Sequence, residues 1–73
     1  MHQFYVNDIP INVPNKTITR EKIMELIFNK SFTEQAPHSV DDVLHKGTPE
    51  GDIVRAGQSV DITKDVFFYT TEE

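Results

Sequence analysis

Val60-Asp61-Ile62-Thr63-Lys64-Asp65-Val66-Phe67-Phe68-Tyr69-Thr70 holds two of the chain's five phenylalanines and one of its two tyrosines. A run of Val, Phe, Phe, Tyr and Thr suits a pleated, half-buried strand, because β-branched and aromatic side chains pack well on that surface. Val66 to Thr70 is therefore predicted to be a central strand. Strand alternation sends Val66, Phe68 and Thr70 to one face and Phe67 and Tyr69 to the other. Only 73 residues are available, too few to cover both faces of a sheet. The expectation is one face packed on a helix and one face open to water or a partner.

Upstream, Gln3-Phe4-Tyr5-Val6-Asn7 alternates apolar and polar residues and runs into Asn7-Asp8, two residues that tolerate left-handed backbone angles. Ile9-Pro10-Ile11-Asn12-Val13-Pro14 alternates again, so the pair predicts a hairpin. Pro10 and Pro14 cannot donate to a ladder and place the second strand at the sheet edge. Asn15 to Thr19 reads as polar and turn-rich, with Thr19 the candidate N-cap of a helix over Arg20–Lys30. Ile23, Leu26 and Ile27 form an apolar stripe that Met24 and Phe28 widen, and Lys22 and Glu25 stand three residues apart on the wet side. Ser31 to Ser39 reads as a loop with Phe32 beneath it. Val40–His45 is a further strand, Gly47–Gly51 a turn, Asp52–Val54 a short returning strand and Gly57-Gln58 another turn. The expected core is Phe4, Val6, Ile11, Ile23, Leu26, Ile27, Val43, Ile53, Ile62 and Phe68.

Composition excludes several classes of function. Seven Lys and Arg against 12 Asp and Glu give a formal charge of −5, which opposes a phosphate backbone, so nucleic acid is not an expected partner. Without cysteine there is no disulfide framework, thiolate metal site or Cys nucleophile, a composition that suits a reducing cytosol. No apolar run approaches the about 18 residues that span a bilayer, and no signal-peptide pattern opens the chain. The expected location is the cytoplasm, with no membrane partner.

His38, Asp41, Asp42 and His45 have metal-ligand chemistry at close spacing. Strand alternation would separate Asp41 from Asp42, so a solvated charged segment is the preferred reading and no metal is expected. Ser31, Ser39 and Ser59 stand in turn-like contexts, and Gly47, Gly51 and Gly57 follow no phosphate-loop pattern. No nucleophile–base–orienter signature appears, so neither an enzyme nor a cofactor is expected. The open face is the candidate site. With Phe68, Phe4 and Val6 inward, Phe67, Tyr69 and Tyr5 point outward together, and such an aromatic patch marks an interaction surface.

The order strand, strand, helix, strand, short strand, strand matches an α+β fold of the β-grasp or ubiquitin-like kind, a mixed four- to five-stranded sheet on one helix. With Val6-Asn7-Asp8, Ile18-Thr19-Arg20-Glu21, Val60-Asp61-Ile62 and Phe68-Tyr69-Thr70 in this order, nearly the whole chain resembles the bacterial multi-ubiquitin-type domain family, the match lying in order and spacing. The resemblance implies a protein modifier acting beside activating and conjugating enzymes and a deubiquitinase-like peptidase, in operons some of which serve antiphage defence. It would make the last residue, Glu73, the conjugation terminus. Such modifiers usually carry a C-terminal diglycine, whereas this sequence ends Thr70-Thr71-Glu72-Glu73. Three readings stay open: conjugation through a different terminus, a sequence cut from a longer one, or a β-grasp interaction module that docks without covalent attachment. A sulfur carrier of the same fold is disfavoured, since it too would need the glycines.

Overall fold

A computed structural model describes residues 1–29 and 41–72. The expectations for the loop at 31–39, including Phe32 beneath it, and those for Lys30, His38, Val40 and Glu73 lie outside the described residues.

The chain begins with a hairpin, β1 (His2–Val6) and β2 (Ile9–Val13), followed by β3 (Thr17–Thr19) and α1 (Arg20–Asn29). It continues through β4 (Val43–Lys46), β5 (Asp52–Val54), β6 (Ser59–Asp61) and β7 (Phe67–Thr71). Five strands form one mixed sheet in the order β2-β1-β7-β4-β5, and β3 pairs with β6 in a separate two-stranded sheet. Among the described residues the architecture is α+β, with a mixed five-stranded sheet and one helix. As predicted, the aromatic strand is central: β7 lies parallel to β1 and antiparallel to β4. Main-chain bonds from Tyr5 N–H to the Val66 carbonyl (2.7 Å) and from Asn7 N–H to the Phe68 carbonyl (2.9 Å) tie β1 to β7.

The first hairpin closes on Asn7 and Asp8, with φ of 51° and 67°. Two successive left-handed residues match the twist of the flanking strands, which is why Asn-Asp suits the position. Asn7 is also a bolt. Its Nδ2 donates to Thr70 Oγ1 (2.6 Å) and its Oδ1 accepts from Thr70 N–H (2.8 Å), fastening the turn to β7. A two-residue turn makes Val6 and Ile9 a hydrogen-bonded pair, so the N–H groups of Ile9, Ile11 and Val13 point at β1 and positions 10, 12 and 14 point off the sheet. Pro10 and Pro14 occupy two of those outward positions. They remove two of the three edge donors a foreign strand could use, leaving that of Asn12.

Thr19 caps the helix as expected, its Oγ1 accepting from Lys22 N–H at 3.2 Å. Arg20 N–H reaches the Gln58 carbonyl (2.9 Å), the Glu21 carboxylate accepts from Gly57 N–H (2.9 and 3.1 Å), and the Arg20 guanidinium donates to the Asp42 carbonyl (2.7 Å). These bonds join the helix start to the turn after β5 and to the entry of β4. On the wet side, Lys22 and Glu25 approach to 3.8 Å, both well exposed.

The core lies between α1 and one face of the sheet. Phe4 and Phe68 meet edge to face with centroids 5.8 Å apart, surrounded by Val6, Ile11, Ile23, Ile27 and Ile62. Four expectations need correction. Val43 is half-buried and Ile53 is 45% exposed. Their neighbours Leu44 and Val54 are the buried residues, because the register that turns Phe68 inward sets Leu44 opposite Thr70 and Val54 opposite Leu44. Leu26 only lines the margin, while Met24 is buried. Finally, Thr17–Thr19 is a strand rather than a turn: Ile18 pairs with Val60, and both are buried. Tertiary packing of one apolar side chain outweighs the polar composition around it.

Candidate sheet-face interaction site

Each strand of the large sheet contributes alternate residues to the face opposite α1. From β1 and β7 come Tyr5, Phe67 and Tyr69, the three residues expected there. Tyr5 and Phe67 are register partners and stack, with centroids 5.4 Å apart and planes 16° from parallel. At that separation the two rings stack, each covering part of a face of the other. Phe67 stays 46% exposed despite the stack. The Tyr5 hydroxyl donates to Gln3 Oε1 (3.2 Å).

Tyr69 belongs to the next row. It pairs with His45, which pairs with Ile53, so an aromatic, an imidazole and an exposed aliphatic side chain run across three strands. His45 is held on both sides: its Nδ1 lies 3.1 Å from the Gly51 carbonyl and its Nε2 3.0 Å from Thr71 Oγ1. The carbonyl can only accept, so Nδ1 carries the proton, and Nε2 accepts from the Thr71 hydroxyl in the neutral ring. Thr71 and Val43 form a third row.

His45, Ile53 and Val43 were missed as members of this face. The strand residues alone do not show it; the register with β7 does. Once Phe68 points inward, its antiparallel partner Lys46 shares the inward side, which sends His45 outward. Asp41 and Asp42 do not alternate along a strand; both precede β4, and Asp42 is buried. Glu73, the expected conjugation terminus, falls outside the described residues. Among those residues, no group of three or more His, Asp and Glu is gathered to hold a metal ion. No described helix is long and apolar enough to cross a membrane.

One group has a clear electrostatic preference. Asp61 has its carboxyl held below the ordinary carboxylate range, chiefly by the Thr63 hydroxyl and then by Thr63 N–H, both donating to Oδ1. It ends β6 and organises the turn that follows rather than the open face.

No protein-family model matches the chain, and no curated protein or solved structure matches it.

Proposed function

We propose that this chain is a ubiquitin-like β-grasp protein that docks other proteins on its open sheet face and serves as a modifier in a bacterial ubiquitin-like conjugation system, of the kind associated with antiphage defence. The observation that carries the docking reading is the aromatic surface itself: the Tyr5–Phe67 stack, with Tyr69 in the next row and the exposed Ile53 across His45 from it, on the face opposite the helix. A half-exposed phenylalanine and isoleucine on one face supply the apolar contact that a partner would bury. The strand order, with parallel terminal strands at the centre and one helix after the first hairpin, supports the β-grasp assignment. Its partners on this reading are activating and conjugating enzymes, a deubiquitinase-like peptidase, or target proteins. The domain itself performs no catalysis.

The test uses the full natural protein and the enzymes encoded beside its gene. Incubation with nucleotide, followed by intact-mass spectrometry, should reveal an adduct through the natural C-terminal residue. Binding to those enzymes without an adduct would replace the modifier reading with that of a non-conjugated docking module. Absence of both would contradict the proposal.

A further inference from the structure

His45 stands in the middle row of the open face, half-buried, with Tyr69 as its register partner on β7 and Ile53 on β5. Its ring is held at both nitrogens, by the Gly51 carbonyl (3.1 Å) and the Thr71 hydroxyl (3.0 Å). The two partners respond differently when the ring takes up a proton. The carbonyl accepts from Nδ1–H in either state, whereas the hydroxyl donates to Nε2 of the neutral ring and accepts from Nε2–H of the charged one. A threonine hydroxyl makes that reversal by rotation alone. The fold therefore holds imidazole and imidazolium with the same two bonds, and protonation changes the charge of the face rather than its shape.

The outward positions around His45 are Val43 on its own strand, Tyr69 and Thr71 on β7 and Ile53 on β5, with Tyr69 the titratable group among them and no carboxylate. Lys46 and Asp52 form a register pair on the opposite side of the sheet, and Lys46 Nζ lies 3.8 Å from Asp65. Glu50 and Glu72, next in sequence to Gly51 and Thr71, are exposed. An uncharged partner that covers this face must either bury the imidazolium without a counter-ion or displace its proton, and displacing the proton is the cheaper course. Building on the docking reading above, we propose that His45 couples docking on this face to proton release, so that an uncharged partner binds the neutral ring and is shed as pH falls through the range in which histidine charges. Linkage is reciprocal: the bound partner drives the ring back to its neutral form.

Two dyes with one ring system test this: N-phenyl-1-naphthylamine, which is uncharged, and its anionic counterpart 8-anilinonaphthalene-1-sulfonate. Each is titrated into the ¹⁵N-labelled protein at about pH 8 and about pH 5.5, across the span in which histidine changes charge. The amides of Tyr5, His45, Phe67 and Tyr69 report the site. The ratio of anionic to neutral affinity is expected to rise about fivefold at the lower pH, the scale of one exposed ion pair. His45→Gln should remove most of that rise. In the parent, long-range ¹H–¹⁵N spectra of the imidazole read the coupling directly, since saturation with the neutral dye at the lower pH should shift His45 toward its neutral Nδ1–H form. A ratio that stays level, a rise that persists in His45→Gln, or a ring whose protonation ignores the neutral dye would overturn the proton coupling and leave the docking reading standing. If neither dye perturbs these amides at either pH, both fail.

Discussion

Phe67 and Phe68 are neighbours of identical chemistry, and the sheet gives them opposite work. Phe68 is fully buried against Phe4, while Phe67 is nearly half exposed on the stack with Tyr5. Phe68→Ala should destabilise the domain by about 3–5 kcal/mol, enough to unfold much of a small domain. Phe67→Ala should cost about 1 kcal/mol, the worth of an exposed aromatic pair. Urea denaturation of the two variants checks the contrast, and similar losses would place both rings in the core. Gly51 is a second residue whose identity is dictated locally. A Cβ there would sit 2.1 Å from the Lys46 carbonyl oxygen, a backbone atom that cannot turn aside. Gly51→Ala should therefore cost about 2 kcal/mol or more by opening the β4–β5 turn. It should also loosen His45, whose Nδ1 partner is the Gly51 carbonyl. Asp61 gives the acid limb a sign. Its folded carboxyl titrates below the unfolded value, so its contribution is present above the ordinary carboxylate pKa and fades as pH falls through the lowered one. Asp61→Asn should flatten the pH dependence of stability in that acid window, measured by melting curves.

At the scale of elements, the helix start shows how one short segment locks three parts of the fold. Thr19 caps α1, Glu21 holds Gly57, and Arg20 binds both Gln58 and Asp42 through separate groups. Thr19→Ala should cost about 1 kcal/mol and raise hydrogen exchange over Glu21 and Lys22, whereas unchanged exchange would remove the cap from the account. The elements that could be read from sequence were those with one clear apolar parity. The first hairpin, the helix and the aromatic strand qualify, and they delivered Tyr5, Phe67 and Tyr69 to the face on which they lie. Reading faltered where two apolar residues are adjacent, as in Val43-Leu44 and Ile53-Val54, because either could face inward and only pairing with β7 decides. That ambiguity hid Ile53 and His45. It failed again at Thr17-Ile18-Thr19, where a long-range partner, β6, makes a strand that local composition does not announce.

Among the described residues, the sheet has one face packed on α1, one edge carrying proline and an aromatic face on the other side, with Phe67 nearly half exposed. Replacing both Pro10 and Pro14 with threonine restores one outward donor on β2 and one just beyond it and should bring concentration-dependent self-association, seen by sedimentation velocity, with the fold intact by circular dichroism. A variant that sediments like the parent would show that the prolines do not guard the edge. The central claim is that the face carrying Tyr5, Phe67 and Tyr69 serves a partner rather than the fold. The most direct test is calorimetric titration of a conjugation-pathway enzyme with the parent protein and with the Phe67→Ser, Tyr69→Ser double variant, their melting compared in parallel. The account predicts that the double variant loses binding while its melting temperature falls by only a few degrees. Retained binding would contradict it, as would cooperative unfolding of the variant before any partner is added.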